Sequence, residues 1–294
     1  MIESGRIRVG GGHVAYRMRA GVADRAMLAV FHQSPLSGWT HEPLFTHLSH
    51  PGPVVLFDTP GYGDSSDARG LIRIEDYASR LGSALDELRG ARNVVLLGQH
   101  TGAHLALLYA IAHPGATAGV IFHGLSLYTD AERLERLARY APPIKHGDDG
   151  DHVLVYWRRI RELYPSVDIA LRDRMLADYL RGDPDYAHAY RAVFACDVAP
   201  LVRAFAATGI PSCVIVGTDD VIYDKQHRVV EQFGSGFVAL PGLTDFAPWE
   251  DPVGFAGAVD AFIVTIDPIP HGPRATPAGP QGSRDTGEAD VHRR

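Results

Sequence analysis

Val94-Val95-Leu96-Leu97-Gly98-Gln99-His100-Thr101-Gly102-Ala103-His104 passes from an apolar run, through two glycines with three residues between them, into a small-residue stretch. The run of β-branched and aliphatic residues reads as a buried strand, and the small-residue stretch reads as a helix. The glycines between them mark a tight turn in which two backbones approach closely. A strand that turns this sharply into a helix holds its apex side chain above the sheet. Here that residue is His100.

Outward from this turn, short apolar runs alternate with amphipathic stretches. Arg6 to Val9 and His13 to Met18 read as a hairpin around Gly10-Gly11-Gly12. Met27 to His32 and Val54 to Asp58 are β-rich runs ending in polar turns. Ile74, Tyr77, Leu81, Leu85 and Leu88 recur at helical spacing, which predicts a helix over Ile74 to Arg89. A strand over Asn93 to Gly98, a helix over Gly102 to His113 and a strand over Gly119 to His123 continue the rhythm. This alternation predicts a mostly parallel sheet with helices on both faces. From about Leu127 to Phe205 the chain is helical, charged and rich in tyrosine, and reads as an insertion over the carboxyl edge of the sheet. Strands return at Ser212 to Gly217 and Phe237 to Leu240, followed by a helix from Pro252 to Ile266. The expected division is a core of residues 1–126 and 206–266, a helical cap of residues 127–205, and a disordered tail of residues 267–294.

The composition suits an enzyme with a large buried core: 294 residues, 46% hydrophobic and 21% charged. A formal net charge of −7 makes no electrostatic case for nucleic acid or an anionic membrane. Two cysteines cannot build a disulfide framework, and no leader-like or membrane-spanning apolar run is present, so a cytoplasmic protein is expected. A small molecule is the expected partner, and a homodimer is left open. No dinucleotide fingerprint, P-loop or lysine context for pyridoxal phosphate occurs, so no organic cofactor is expected.

Four motifs bear on function besides the turn at His100. Phe31-His32-Gln33-Ser34-Pro35 closes one strand, and Asp58-Thr59-Pro60-Gly61-Tyr62-Gly63-Asp64-Ser65-Ser66 follows the next. Val216-Gly217-Thr218-Asp219-Asp220 ends a later strand, and Pro241-Gly242-Leu243-Thr244-Asp245-Phe246 follows the last. In this order, across roughly residues 5 to 266, the motifs resemble the α/β-hydrolase family with a helical cap. The resemblance implies an eight-stranded, mostly parallel sheet. It also implies that residue 100 stands at the nucleophile position, Asp220 at the acid position and Asp245 at the histidine position. Thr101 and the Gln33–Ser34 region would then donate backbone N–H groups to an oxyanion, and His32 would brace that loop.

The family's serine chemistry needs a hydroxyl, a base to take its proton and a carboxylate to orient the base. This chain has His100 and Asp245 where the first two would be. An imidazole beside a carboxylate favours its charged form, and a positioned pair of this kind serves as a general acid or base. The expectation is an enzyme acting on a small apolar ester or activated carbonyl compound, with His100, Asp245 and Asp220 carrying the proton chemistry. Trp157, Tyr128 and His123 are candidate pocket residues beside it. A lyase or cyclase of secondary metabolism, and an inactive ligand-binding relative, remain the alternatives. His100 and His104 share the i, i+4 spacing of zinc ligands, but a residue four past the apex is expected to pack into the sheet, so no metal is expected. Asp58 is read as the anchor of its own turn.

Overall fold

The computed structural model describes residues 1–66, 68–140, 142–181 and 185–267. The expected disordered tail therefore lies outside the described residues, except for Asp267, whose carboxylate accepts from the Ala26 amide and pairs with Arg25 at 3.1 Å.

Eight strands form one sheet. They are β1 (Ile2–Val9), β2 (Gly12–Arg19), β3 (Met27–Phe31), β4 (Val54–Phe57), β5 (Val94–Gln99), β6 (Thr117–His123), β7 (Ser212–Gly217) and β8 (Gly236–Leu240). Their spatial order is β1-β2-β4-β3-β5-β6-β7-β8. The first two strands form an antiparallel hairpin, and β2 also pairs antiparallel with β4; all later neighbours are parallel. Every residue of β3, β4 and β5 is buried, as expected of parallel strands covered on both faces.

The short helical turn α1 (Leu44–His47) and the helix α2 (Ile74–Arg89) precede β5, and α3 (Thr101–Ala112) follows it directly. Between β6 and β7 lie α4 (Asp130–Arg139), α5 (Asp151–Leu163), α6 (Ile169–Arg181), α7 (His188–Ala195) and α8 (Ala199–Thr208). After β7 come α9 (Gln226–Phe233), α10 (Ala247–Glu250) and α11 (Pro252–Ile266). One face of the sheet is sealed by α2, α3 and α8, through residues such as Tyr77, Leu85, Leu105 and Phe205. The other is sealed by α1 and α11, through Leu44, Phe255, Val259 and Ile263.

Helices α5 and α6 build a third apolar cluster above the sheet. Tyr156, Ile160, Tyr164, Met175 and Tyr179 pack there against Trp39 and Phe246. Polar contacts fasten this layer to the strand loops. The Trp39 indole N–H donates to Asp178 at 2.7 Å, and Arg174 pairs with Glu42 at 3.0 Å while stacking on the Trp39 ring. The insertion therefore lies over the loops that follow β3 and β8. Cys196 and Cys213 are free and buried, and no helix among the described residues is long and apolar enough to cross a membrane.

Candidate active site

The turn between β5 and α3 is held in a strained backbone conformation. His100 has φ 47° and ψ −104°, and among the described residues it is the sole non-glycine with positive φ. Sparsely populated conformations of this kind persist only where the surroundings over-determine them. The surroundings here leave little freedom. A Cβ on Gly102 would lie 2.0 Å from the Phe31 carbonyl oxygen, so only glycine lets α3 approach β3. The His100 amide donates to the Gly124 carbonyl at 2.9 Å, tying the turn to the end of β6.

His100 points towards the loop after β7. Its Nε2 lies 2.9 Å and 3.2 Å from the two carboxylate oxygens of Asp220. Gly124 makes room for the ring, since a Cβ there would stand 2.9 Å from His100 Cδ2. Asp220 is fixed in turn, accepting the Ile222 amide at 2.8 Å, and its side chain is fully buried, whereas that of His100 is 15% exposed. Burial opposes the charged imidazolium, but the charge and hydrogen bond of Asp220 outweigh it, so the His100 pKa is raised.

Asp245 follows β8 and completes a triangle of titratable groups. Its Oδ2 accepts from the Gln33 amide at 3.0 Å, and its backbone carbonyl accepts from the Gln99 side chain. Its Oδ1 is buried without a hydrogen-bond partner. Burial, reinforced by the charge of Asp220, pushes this carboxyl up to about 7, against the opposing pull of His100 and Gln33. The site thus holds an imidazole biased towards its charged form beside a carboxyl biased towards its neutral form. Thr101 is the first residue of α3, so its amide N–H has no intrahelical acceptor.

Protein-family comparison matches residues 34–258 to the description "Alpha/beta hydrolase family". The chain belongs to the alpha/beta hydrolase family. Among curated relatives it is 28% identical to a proline iminopeptidase of Thermoplasma volcanium over 162 residues, which is 51% of this chain and 54% of that protein. It therefore spans about half the length of the curated relative it matches. Among solved structures, the esterase RhEst1 from Rhodococcus sp. ECU1013 superposes with a TM-score of 0.73 at 22% identity, covering 90% of this chain and 99% of that one. The haloalkane dehalogenase DbeA from Bradyrhizobium elkani USDA94 gives 0.71 at 20% identity, covering 90% and 99%. At such identities these two structures speak to the alpha/beta hydrolase fold alone.

Within this alpha/beta hydrolase scaffold, the residues singled out in the sequence fall into two groups. His100, Asp220, Asp245, Gln33 and Thr101 converge, although the direct partner of His100 is Asp220 and that of Asp245 is Gln33. Tyr128 stands at the same edge, with the Arg136 guanidinium 4.6 Å from its ring centre and the charge of Asp220 in range. Ser34 is buried in the loop after β3.

The others stand apart from this group: His123 and Trp157 depart from their expected place at the pocket, while His32, His104 and Asp58 hold structural positions. His32 has both ring nitrogens occupied, at 2.8 Å from the Gln33 carbonyl and 2.9 Å from the Thr59 amide, so it braces two loops and has no nitrogen for a ligand. His123 packs under the turn against Phe255 and His41 instead of facing a pocket. Trp157 is half-buried, and its neighbour Tyr156 is the one that enters the packed layer. His104 is buried with Nδ1 3.1 Å from the His100 carbonyl, and burial lowers its pKa to about 4. Among the described residues no cluster of three or more His, Cys, Asp or Glu is arranged to hold a metal ion. Asp58 takes the Gly38 and Asp64 amides and pairs with Arg17, which makes it an anchor of its turn. Neither Gln99 nor Gly124 is marked as a site residue by the sequence motifs. Gln99 does carry a usable signal, as a polar residue ending an apolar strand beside the turn.

Proposed function

We propose that the protein is a small-molecule enzyme that cleaves an ester or activated carbonyl compound by general acid–base chemistry, with His100 in place of a serine nucleophile. The observation that carries the reading is the contact of His100 Nε2 with Asp220 at the apex of the strained turn, which leaves Nδ1 as the ring nitrogen available to a reactant. With Nε2–H donating to Asp220, Nδ1 carries the lone pair and accepts a proton from water as the water oxygen attacks the carbonyl carbon. The negative charge that develops on the carbonyl oxygen meets the amide N–H of Thr101 and that of the Gln33 region. Collapse of the adduct breaks the bond to the leaving group, which takes a proton from the neutral Asp245 carboxyl or from the imidazolium. An ester yields an acid and an alcohol; a β-diketone yields an acid and a ketone. Both environments favour the protonated form, so the pair holds a proton ready for the leaving group. The helical insertion serves as a cap over the reacting groups, and its packing on Trp39 and Phe246 supports that role.

The test is turnover of 4-nitrophenyl esters and of simple β-diketones by the purified chain and by His100→Asn. The substitution is expected to lower kcat by about 10²- to 10⁴-fold, the usual worth of a positioned acid–base group. Serine-directed phosphonates are expected to leave no adduct at the turn by mass spectrometry. Undiminished turnover in His100→Asn, or a stoichiometric adduct on Ser34 or Thr101, overturns the reading.

A further inference from the structure

Arg159, on α5, carries a charge that the fold leaves unanswered. Its Nε and Nη2 are both buried and without a hydrogen-bond partner. Four arginines in and around the insertion have an acidic mate: Arg174 with Glu42, Arg181 with Asp64, Arg191 with Asp185, Arg228 with Glu132. For Arg159, aromatic rings take the place of a carboxylate, with the ring centres of Tyr140 and Tyr186 at 5.0 Å and 5.6 Å from its guanidinium carbon. An arginine stays charged at physiological pH, and a buried charge without a counter-charge is costly. Aromatic faces offset part of that cost but accept no N–H.

The two unpartnered nitrogens share one edge of the guanidinium. Nε–H and Nη2–H point the same way, and their spacing matches the two oxygens of a carboxylate. The buried Tyr179 hydroxyl lies against this guanidinium and interacts with it. Tyr140 links the place to the reacting groups: it lies within electrostatic range of Arg159, Asp245 and Asp220. Its ring also carries Arg136 at 5.1 Å. A surface groove of about 540 Å³ between α4 and Lys225 reaches Arg136 and Tyr140 from outside.

We propose that Arg159 is a carboxylate-binding residue of the site, so that the substrate is an ester or activated carbonyl compound bearing a free carboxylate held in the tyrosine cage. This rests on the reading of His100 as the reacting centre, and it replaces the expectation of a wholly apolar substrate. The site would then set the carboxylate at Arg159 and the carbonyl carbon at His100.

Calorimetric titration of the full chain with acetate, benzoate, phenylacetate and 3-phenylpropionate, each against its primary amide, tests the proposal. At least one acid is expected to bind saturably, about tenfold or more tighter than its amide, and to lose about ten- to hundredfold in Arg159→Gln. Arg159→Lys, which keeps the charge without the fork, is expected to recover only part. Binding of the acids is read without turnover, so failure of the acid–base reading, which is read from turnover by His100→Asn, leaves this result standing and the two are told apart. No preference for acid over amide in the parent chain, which needs no variant to fold, overturns the proposal. So does a preference that survives intact in Arg159→Gln.

Discussion

At the scale of the residue, Asp245 makes the folding of this protein sensitive to pH. In an unfolded chain an aspartate ionises near pH 4, whereas in the fold this carboxyl keeps its proton up to about 7. Between those values the folded state binds more protons, so stability falls as pH rises. His100 acts in the same direction at higher pH. Its folded pKa is raised above 6.5, so the stabilisation from Asp220 is complete below that value and is lost as pH rises through the folded one. Asp245→Asn keeps an acceptor for Gln33 and removes the carboxyl titration. Measured against Asp245→Asn, which shares every other titrating group, the urea stability of the parent chain is expected to fall from pH 4.5 to 7.5 by the equivalent of ~2–4 kcal/mol. Parallel curves would mean that another group titrates. The proximity of Asp220 to His100 was legible as a motif order but not as a contact. Whether the imidazole reaches Asp220 or Asp245 depends on the space left by Gly124, a residue that neither spacing nor composition marks.

At the scale of the element, the strained turn separates backbone from side chain. Two substitutions at position 100 delete the same imidazole: alanine keeps the penalty of φ 47°, and glycine relieves it. His100→Gly is expected to be more stable than His100→Ala by about 1–2 kcal/mol, read from denaturant midpoints. Equal midpoints would show that the turn holds no strain. Elements whose burial is one-sided or complete are legible in the sequence: Ile74–Arg89, Ser212–Gly217 and Pro252–Ile266 match their predicted bounds, and the strands ending at Phe31, Phe57 and Gln99 fall within one residue of theirs. The first strand is not, and begins at Ile2 instead of Arg6. It is an edge strand, largely exposed and held by backbone pairing to β2, so it has little apolar alternation to reveal it. The end of the insertion is equally hidden. Helix α8 packs on the sheet side with Val202 and Phe205, while α5 and α6 pack above it, yet all three are amphipathic stretches of similar length.

At the scale of the whole molecule, the site is assembled from distant parts of the chain. Gln33 follows β3, His100 ends β5, Asp220 follows β7, Asp245 follows β8, and Arg159 descends from the insertion. Two acids and one base thus share an enclosure in which any added charge is felt by all of them. A carboxylate ligand drawn in by Arg159 adds a negative charge there, and this strengthens the hold of His100 and Asp245 on protons. The ligand therefore arrives with a fraction of a proton taken from the medium. Near pH 7 the heat of binding should depend on the ionisation enthalpy of the buffer, with a slope corresponding to net uptake. Arg159 and the triangle around His100 would then act together as an acid-coupled intake, one that fills more readily in a mildly acidic medium than in an alkaline one.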